Sequence, residues 1–228
     1  MSELVLTEQG QSCLQSLMGV WLEFERNLNR VPIINRLERN KFDKQDYLKL
    51  LLHWRQQVIE GSRWISLCAS SFDKHHSDVR SMIIGHAREE HRDFEMLERD
   101  YVAAGGSLSY IQNAQRNIGT EALHGFLMYR ASRPNPFDLI GAMWIIEGLG
   151  LKMSSGWAAQ IEHCTKSDGS FTKFMRYHSA NDELHMEKLY GLIDRACQKP
   201  DAHDAIVRTA KVVSRLYCLQ LEEIDNAE

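Results

Sequence analysis

Hydrophobic side chains recur along most of the chain at the three- and four-residue spacing of an α-helix. The 4 prolines fall between these periodic segments, and no segment alternates convincingly between polar and apolar residues as a half-buried strand does. The pattern therefore predicts an all-α fold, a bundle of about seven helices. The expected helices cover residues of about 10–29, 44–71, 76–104, 108–116, 119–132, 136–163, 170–197 and 201–224.

The length of the chain suits one domain with a sizeable core. It has 228 residues, of which 43% are hydrophobic, and such a length is typical of a single, rather large domain. We find no internal repeat and no low-complexity segment. We therefore predict one helical domain over residues 1–228, with its core at about 10–198 and a C-terminal helix at about 201–224.

Charge and cysteine content narrow the class of partner and the compartment. The net charge is −4 and the pI is about 6.2, so the chain lacks the basic excess of a nucleic-acid-binding surface. We see no signal peptide at the N-terminus and no apolar run long enough to cross a membrane. The 5 cysteines are scattered, which is typical of a reducing compartment. We expect a cytoplasmic protein that binds neither nucleic acid nor membrane.

Two segments place imidazoles and carboxylates on one helical face. In each segment the three residues are spaced i, i+4 and i+7, and seven residues make nearly two helical turns. The two sets are His178, Asp182 and His185 in HSANDELH, and His86, Glu90 and Asp93 in HAREEHRD. Either set alone could be an ordinary charged face, but together they predict two walls of a metal site.

A further carboxylate lies within an apolar helix. Glu147, in AMWIIEGLGLKM (142–153), is flanked by apolar side chains such as Trp144 and Leu149, so we predict that it is buried. Leaving a buried carboxylate unpaired costs on the order of a few kcal/mol, and either a metal ion or a basic side chain can be its partner. Lys152, five residues further on, points to another face of an ideal helix.

These residues form one candidate set of metal ligands. The set is His86, Glu90, Asp93, Glu147, His178, Asp182 and His185. Its carboxylates would balance two divalent ions, and mixed carboxylate and imidazole donors favour iron or manganese over zinc. A second arrangement remains open, because Glu121 and His124 form the Glu-x-x-His motif used in ferritin-like bundles.

The order of these motifs resembles a known family. A helix with Glu89-Glu90 that ends at a glycine, then IIEG around Glu147, then HxxxDxxH at 178–185, resembles the haem-oxygenase-like di-iron oxidases and oxygenases. These share a seven-helix fold with the thiaminase II (TenA) group and with pyrroloquinoline-quinone synthase. The resemblance covers residues of about 20–198 and implies this fold. It also implies Glu147 as the middle ligand and His178, Asp182 and His185 as the last ligand cluster.

Residue 93 departs from the family pattern. The third helix of the family usually offers a carboxylate and then a histidine, whereas the matching positions here are Glu90 and Asp93, or His86 and Asp93. His86 could compensate for the missing histidine, with an imidazole at the earlier position and the Asp93 carboxylate at the later one. The departure bears on the number and identity of the metal ions, and it is the best support for a metal-free member of the fold.

Other branches of the same fold match less well. The haem-degrading branch needs a histidine on the first helix, and none precedes His53, so no haem is expected. A thiaminase-like hydrolase needs a nucleophilic cysteine, for which Cys68 and Cys164 are the candidates. The quinone-synthase branch binds a polyanionic substrate, and the arginines that could serve it form no obvious cluster in sequence.

The resemblance implies an oxidoreductase that uses O₂. We expect a non-haem di-iron or iron–manganese centre, with Glu147 as ligand and catalytic group, acting on a small organic metabolite in a possible homodimer. The substrate pocket is predicted to be lined by Trp54, Glu60, Met143 and Trp144, although Glu60 could instead pair with Arg63 or Arg55. Two alternatives remain: a metal-free binding or interaction protein of this fold, and a TenA-like thiamin-related hydrolase.

Overall fold

The computed structural model describes residues 5–226, apart from the side chains of residues 182 and 184. Within that range the chain is helical and has no strand, so the all-α prediction is confirmed. No helix among these residues is both long enough and apolar enough to cross a membrane. The described α-helices are α1 (Glu8–Leu28), α2 (Pro32–Glu38), α3 (Lys44–Val58), α4 (Gly61–Ser70), α5 (Ser77–Glu90), α6 (Phe94–Ala103), α7 (Leu108–Asn113), α8 (Ile118–Ala131), α9 (Ile140–Thr165), α10 (Lys173–Ala196) and α11 (Ala202–Glu222).

Side-chain caps begin several of these helices. The Thr7 hydroxyl accepts a backbone N–H in the first turn of α1, and Asn117 does the same for α8. Asp43 and Asp46 form a capping box at the start of α3. Each cap satisfies an N–H group that the first helical turn leaves unpaired, and such a cap typically contributes about 1 kcal/mol.

Three stretches differ from the predicted helix boundaries. A separate helix, α2, begins at Pro32, where the sequence predicts only a turn. Proline suits the first helical position, because its φ angle is already that of a helix. The helix predicted at 44–71 is divided into α3 and α4 before Gly61, a poor helix former. The helix predicted at 76–104 is divided as well, because α5 ends at Glu90 and a three-residue turn precedes α6.

Helix α9 holds the centre of the molecule. Apolar side chains surround it on nearly all sides over its first half, which is typical of a helix buried within the core. It packs along α10 and crosses α11 at Gly141, where any Cβ atom would collide with the carbonyl oxygen of Ile206. Trp144 is 1% exposed and packs edge-on against Trp21, with ring centroids 6.2 Å apart. The interior of the bundle is therefore built around the helix that carries Glu147.

Candidate metal centre

Helices α5, α9 and α10 and the turn before α6 bring most of the predicted ligands to one place in the interior. Helix α10 packs against both α9 and α5, and this arrangement lets their polar side chains converge among buried apolar residues. The side chain of Asp182 lies outside the described residues. The converging side chains are His86, Glu90, Asp93, Glu147, His178 and His185.

The first group of ligands consists of His86, Glu90, Glu147 and His185, whose ligand atoms all lie within 4.8 Å of one another. One oxygen of Glu147 lies 3.2 Å from Nε2 of His86, and the other lies 3.0 Å from Nδ1 of His185. The same Nδ1 atom is 3.5 Å from Oε1 of Glu90. Two carboxylates and two imidazoles are thus close enough to hold one ion.

The second group consists of Glu90, Asp93 and His178, again with ligand atoms within 4.8 Å of one another. The Oδ2 atom of Asp93 lies 3.3 Å from Nε2 of His178. The ring of Phe174 lies against the imidazole of His178, with centroids 4.4 Å apart, and limits its rotation. Glu90 belongs to both groups, so its carboxylate stands between two candidate ion positions.

The charge on Glu147 is stabilised although the residue is buried. Burial alone raises the pKa of its carboxyl, but hydrogen bonds with His185 and His86 outweigh burial, and the pKa falls to about 2. The carboxylate is therefore ionised at neutral pH. Because it is 5% exposed, its charge is compensated by neighbouring side chains rather than by water.

The donor atoms fit a divalent metal ion. The Oδ2 atom of Asp93 is buried and accepts no hydrogen bond from any residue that the structure describes, despite the imidazole beside it. A buried acceptor without a donor is costly, and a cation would remove that cost. The described donors are nitrogen and carboxylate oxygen, without a thiolate, which suits iron or manganese better than a structural zinc ion.

The two predicted helical faces contribute to both groups rather than forming one wall each. On α10, His178 belongs to the second group and His185 to the first. On the α5 side, His86 belongs to the first group and Asp93 to the second, with Glu90 in both. The continuous helix assumed for this segment is wrong, because Asp93 lies in the turn after α5. His86 therefore does not replace the imidazole expected at residue 93; the two residues serve different groups.

A second layer of charged groups lies behind His185. Its Nδ1 atom faces the first group, and its Nε2 atom lies 3.3 Å from Oε2 of Glu89. Glu89 in turn accepts two hydrogen bonds from Nζ of Lys188, at 2.7 and 2.8 Å. A carboxylate on the outer nitrogen of an imidazole commonly orients a metal-bound histidine. Glu90 of the Glu89-Glu90 pair was the predicted ligand, and no role was predicted for Glu89.

An internal cavity of about 70 Å³ lies beside the centre. Candidate ligands form one side of it, and aromatic and aliphatic side chains form most of the rest. Trp54 and Trp157 stack in its wall, with ring centroids 6.0 Å apart and planes 23° apart. The cavity therefore connects the candidate ion positions with a largely apolar space that could receive a small molecule.

Only part of the predicted pocket lines this cavity. Trp54 and Met143 line it as predicted. Trp144 lies in the core against α1, and Glu60 is held by two arginines, one of them Arg63, each with an N–O distance of 2.7 Å. Glu60 therefore forms ion pairs instead of lining the cavity, with Arg63 rather than Arg55 as one partner.

Several lining residues were missed in the sequence. Gln57, Ser154 and Tyr217 line the cavity, and all three are at least nine-tenths buried. One signal was available, because Ser154 lies seven residues after Glu147 on the same helical face. Gln57 follows Arg55 and Gln56, so the sequence around it gave no sign of burial. Tyr217 carried no such signal, because its position at the cavity depends on the packing of α11.

The residues of the competing hypotheses lie elsewhere. Cys68 is fully buried, and burial raises the pKa of its thiol, which opposes formation of a nucleophilic thiolate. Cys164 lies beside Asn40, with an S–O distance of 3.8 Å. Neither cysteine is among the described residues that line the cavity. Glu121 of the Glu-x-x-His motif pairs with an arginine instead of joining the centre.

Comparison with known proteins identifies the fold through structure. No protein-family model and no curated protein sequence matches the chain. A domain of unknown function with a heme oxygenase-like fold, from Shewanella denitrificans, superposes with a TM-score of 0.86 over 92% of this chain and 90% of its own, at 18% sequence identity. The fold is haem-oxygenase-like.

The TenA homologues have the same fold. The protein from P. horikoshii superposes with a TM-score of 0.74 at 12% identity, covering 96% of this chain and 98% of its own. The homologue from Pseudomonas syringae pv. tomato also has a TM-score of 0.74, at 13% identity, covering 97% and 94%. The predicted resemblance to the haem-oxygenase-like and TenA-like superfamily is therefore confirmed at the level of the fold.

Proposed function

We propose that the protein is a metal-dependent oxidoreductase that activates O₂ at a non-haem di-iron or iron–manganese centre and oxidises a small organic molecule. The observation that carries the proposal is the position of Glu90 between two groups of ligands. A carboxylate shared in this way suits a two-metal site, in which ions typically lie about 3.5–4 Å apart.

The side chains of the chain have separate tasks in this proposal. His86, Glu147 and His185 would hold one ion, Asp93 and His178 would hold the other, and Glu90 would serve both. When bound, the two metal ions would supply the redox chemistry with O₂, which amino-acid side chains lack. We count Glu147 as the catalytic carboxylate of the set, because two imidazoles hold it ionised at the cavity wall.

The cavity supports an oxidation in largely apolar surroundings. Its wall next to the centre is lined by aromatic and aliphatic side chains such as Trp64 and Met143. An apolar wall excludes water, strengthens the electrostatic interactions within the site, and limits side reactions of a reactive oxidant. The substrate would lie between this wall and the first group of ligands.

Anaerobic loading with Fe(II), followed by exposure to air, tests the proposal. We expect O₂ consumption together with a transient visible absorption band. Glu147→Ala should lose both signals. Glu162→Ala is the matched control, because Glu162 lies on the same helix and pairs with Arg176 away from the centre. Metal retention without O₂ consumption would contradict the oxidase, and failure to retain metal would favour the metal-free binding protein.

A further inference from the structure

We infer that the cavity beside the centre binds an uncharged, mainly apolar small molecule whose one polar group hydrogen-bonds to Gln57 or to Ser154. The inference rests on the proposed function only in making this molecule the substrate. The cavity, its apolar wall and the two polar side chains belong to the folded chain itself. Binding of such a molecule is therefore expected in protein from which metal has been removed.

Gln57 is the first polar anchor. It is 9% exposed and lines the cavity, and its side-chain amide makes no hydrogen bond with the residues that the structure describes. The neighbouring Gln56 has the opposite arrangement, because its amide donates to the carbonyl oxygen of Ile111 at 2.9 Å. Its amide donors and acceptor are therefore available to a molecule in the cavity, and a ligand with a complementary donor or acceptor could pair with them.

Ser154 is the second polar anchor. It is 7% exposed, lines the same cavity, and makes no side-chain hydrogen bond with the described residues. It follows Glu147 by seven residues, so the two share one face of α9 and stand about 10 Å apart along the helix axis. A molecule held at Ser154 would thus extend toward the first group of ligands.

The rest of the wall is apolar and aromatic. Trp54 and Trp157 stack in it, and Phe174 lies 6.3 Å from Trp54 between ring centroids. Glycines at 61 and 150 also line the cavity, and a Cβ atom built at Gly61 meets nothing within 4 Å. Aromatic walls of this kind favour flat or cyclic apolar groups.

The charge of the lining excludes an anion or a cation as the main ligand. No lysine or arginine is among the described lining residues, and the titratable lining groups apart from Tyr217 are His86, Glu90, Glu147 and His178 of the centre. An anion would find no lysine or arginine, and a cation would find the Glu147 carboxylate already held by the imidazoles of His86 and His185. Moving either from water into an apolar cavity is costly without a partner.

Three isosteric probes test this assignment: benzamide, benzoate and benzamidine, which are uncharged, anionic and cationic. Binding to chelator-treated full-length protein is measured by calorimetry and by quenching of tryptophan fluorescence. We expect benzamide to bind at least tenfold more tightly than either charged probe. Loss of one hydrogen bond in Gln57→Leu should weaken benzamide binding by about tenfold, whereas Gln56→Leu should leave it unchanged.

Stability separates a ligand anchor from a structural residue. Gln57→Leu should melt no lower than the wild type, because the amide that it removes has no partner in the fold. Gln56→Leu should melt lower, because it leaves the carbonyl oxygen of Ile111 without its donor. Ser154→Ala provides a second test of affinity if Gln57→Leu fails to fold.

Equal affinity for the three probes, or benzamide binding that neither Gln57→Leu nor Ser154→Ala weakens, would overturn the inference. Because the protein is metal-free in this experiment, the result does not depend on the oxidase proposal. Benzamide binding in a protein that retains no iron would support the cavity assignment while the oxidase proposal fails. Iron binding with no benzamide binding would leave the oxidase proposal standing and reject the cavity assignment.

Discussion

Glu89 is expected to set the orientation of His185, although it lies outside both ligand groups. Its Oε2 atom is 3.3 Å from Nε2 of His185, the nitrogen that points away from the centre. Lys188 fixes the carboxylate from the other side, with an N–O distance of 2.7 Å. Replacing Glu89 by alanine would leave the candidate ligands in place but remove the contact at the outer nitrogen of His185, so we expect weaker metal binding.

The expected size follows from the kind of contact that is lost. Removing a carboxylate that orients a metal-bound histidine typically lowers metal affinity by about 10–100-fold, which corresponds to about 1.4–2.7 kcal/mol. The effect on folding should be smaller, because the side chains of Lys188 and Glu89 are 51% and 40% exposed, and an exposed ion pair contributes about 0–1 kcal/mol. Metal affinity should therefore change more than the free energy of unfolding.

The assay is competition for Mn(II) between the protein and a colorimetric chelator, combined with urea unfolding of the metal-free protein. Glu95→Ala is the matched control, since Glu95 also forms a surface ion pair, with Arg92 at 2.7 Å, and contacts no candidate ligand. Glu89→Gln should recover part of the affinity, because an amide oxygen can still accept the Nε2–H bond. Affinity within twofold of wild type in Glu89→Ala, or an equal loss in the control, would refute the reasoning.

Three further predictions address the two ion positions, the packing of α9 and the response to pH. His178→Ala should lower metal content from two ions to one per chain, because this residue serves only the second group, whereas the exposed His91→Ala should leave it unchanged in elemental analysis. In urea unfolding, Gly141→Ala should lower the free energy of unfolding by about 1–3 kcal/mol or more, because its Cβ atom collides with α11. Gly156→Ala should raise it by up to about 1 kcal/mol, because its Cβ atom meets nothing within 4 Å and alanine is the better helix former. Burial and Lys49 lower the pKa of His53, so as pH falls the unfolded chain is protonated at His53 before the folded chain is. The free energy of unfolding should therefore be retained above about pH 6.5 and decrease as pH falls below it. A wild type that is no more sensitive to acid than His53→Leu would contradict this.

The fold and most residues of the candidate centre could be predicted because both depend on periodicity. Apolar spacing near 3.6 residues marks the helices, and a carboxylate such as Glu147 inside an apolar segment signals a buried partner. The spacing of His178 and His185 placed them on one face, which the structure retains. Seven residues span about 10 Å along a helix, however, so the two ends of that face reach different ion positions. Spacing within one helix could not show this division.

The helix break before α6 depends on tertiary contacts. His91, Arg92 and Asp93 include no proline or glycine, so local propensity does not forbid a continuous helix. In the folded chain, Arg92 pairs with Glu95 and Asp93 turns toward His178 on α10. The interaction that favours the turn thus comes from a residue far away in sequence, which no local pattern reveals.

The lining of the cavity was only partly predictable because α9 is apolar on nearly all sides over its first half. On such a helix, hydrophobic spacing does not show which face meets the cavity and which meets the core. Trp144 and Trp157 are both buried tryptophans of α9, yet only Trp157 lines the cavity, since Trp144 packs on Trp21. Gln57 follows Arg55 and Gln56 in the sequence, so its position in the wall could not be predicted from local polarity either.

We propose that one buried centre holds two adjacent metal ions that share Glu90. Anomalous diffraction at the iron edge, from crystals grown anaerobically with Fe(II), measures this directly. We expect two peaks about 3.5–4 Å apart, one beside His86, Glu147 and His185, the other beside Asp93 and His178, with the Glu90 carboxylate between them. A single peak at one group, or no peak among these residues, would contradict it.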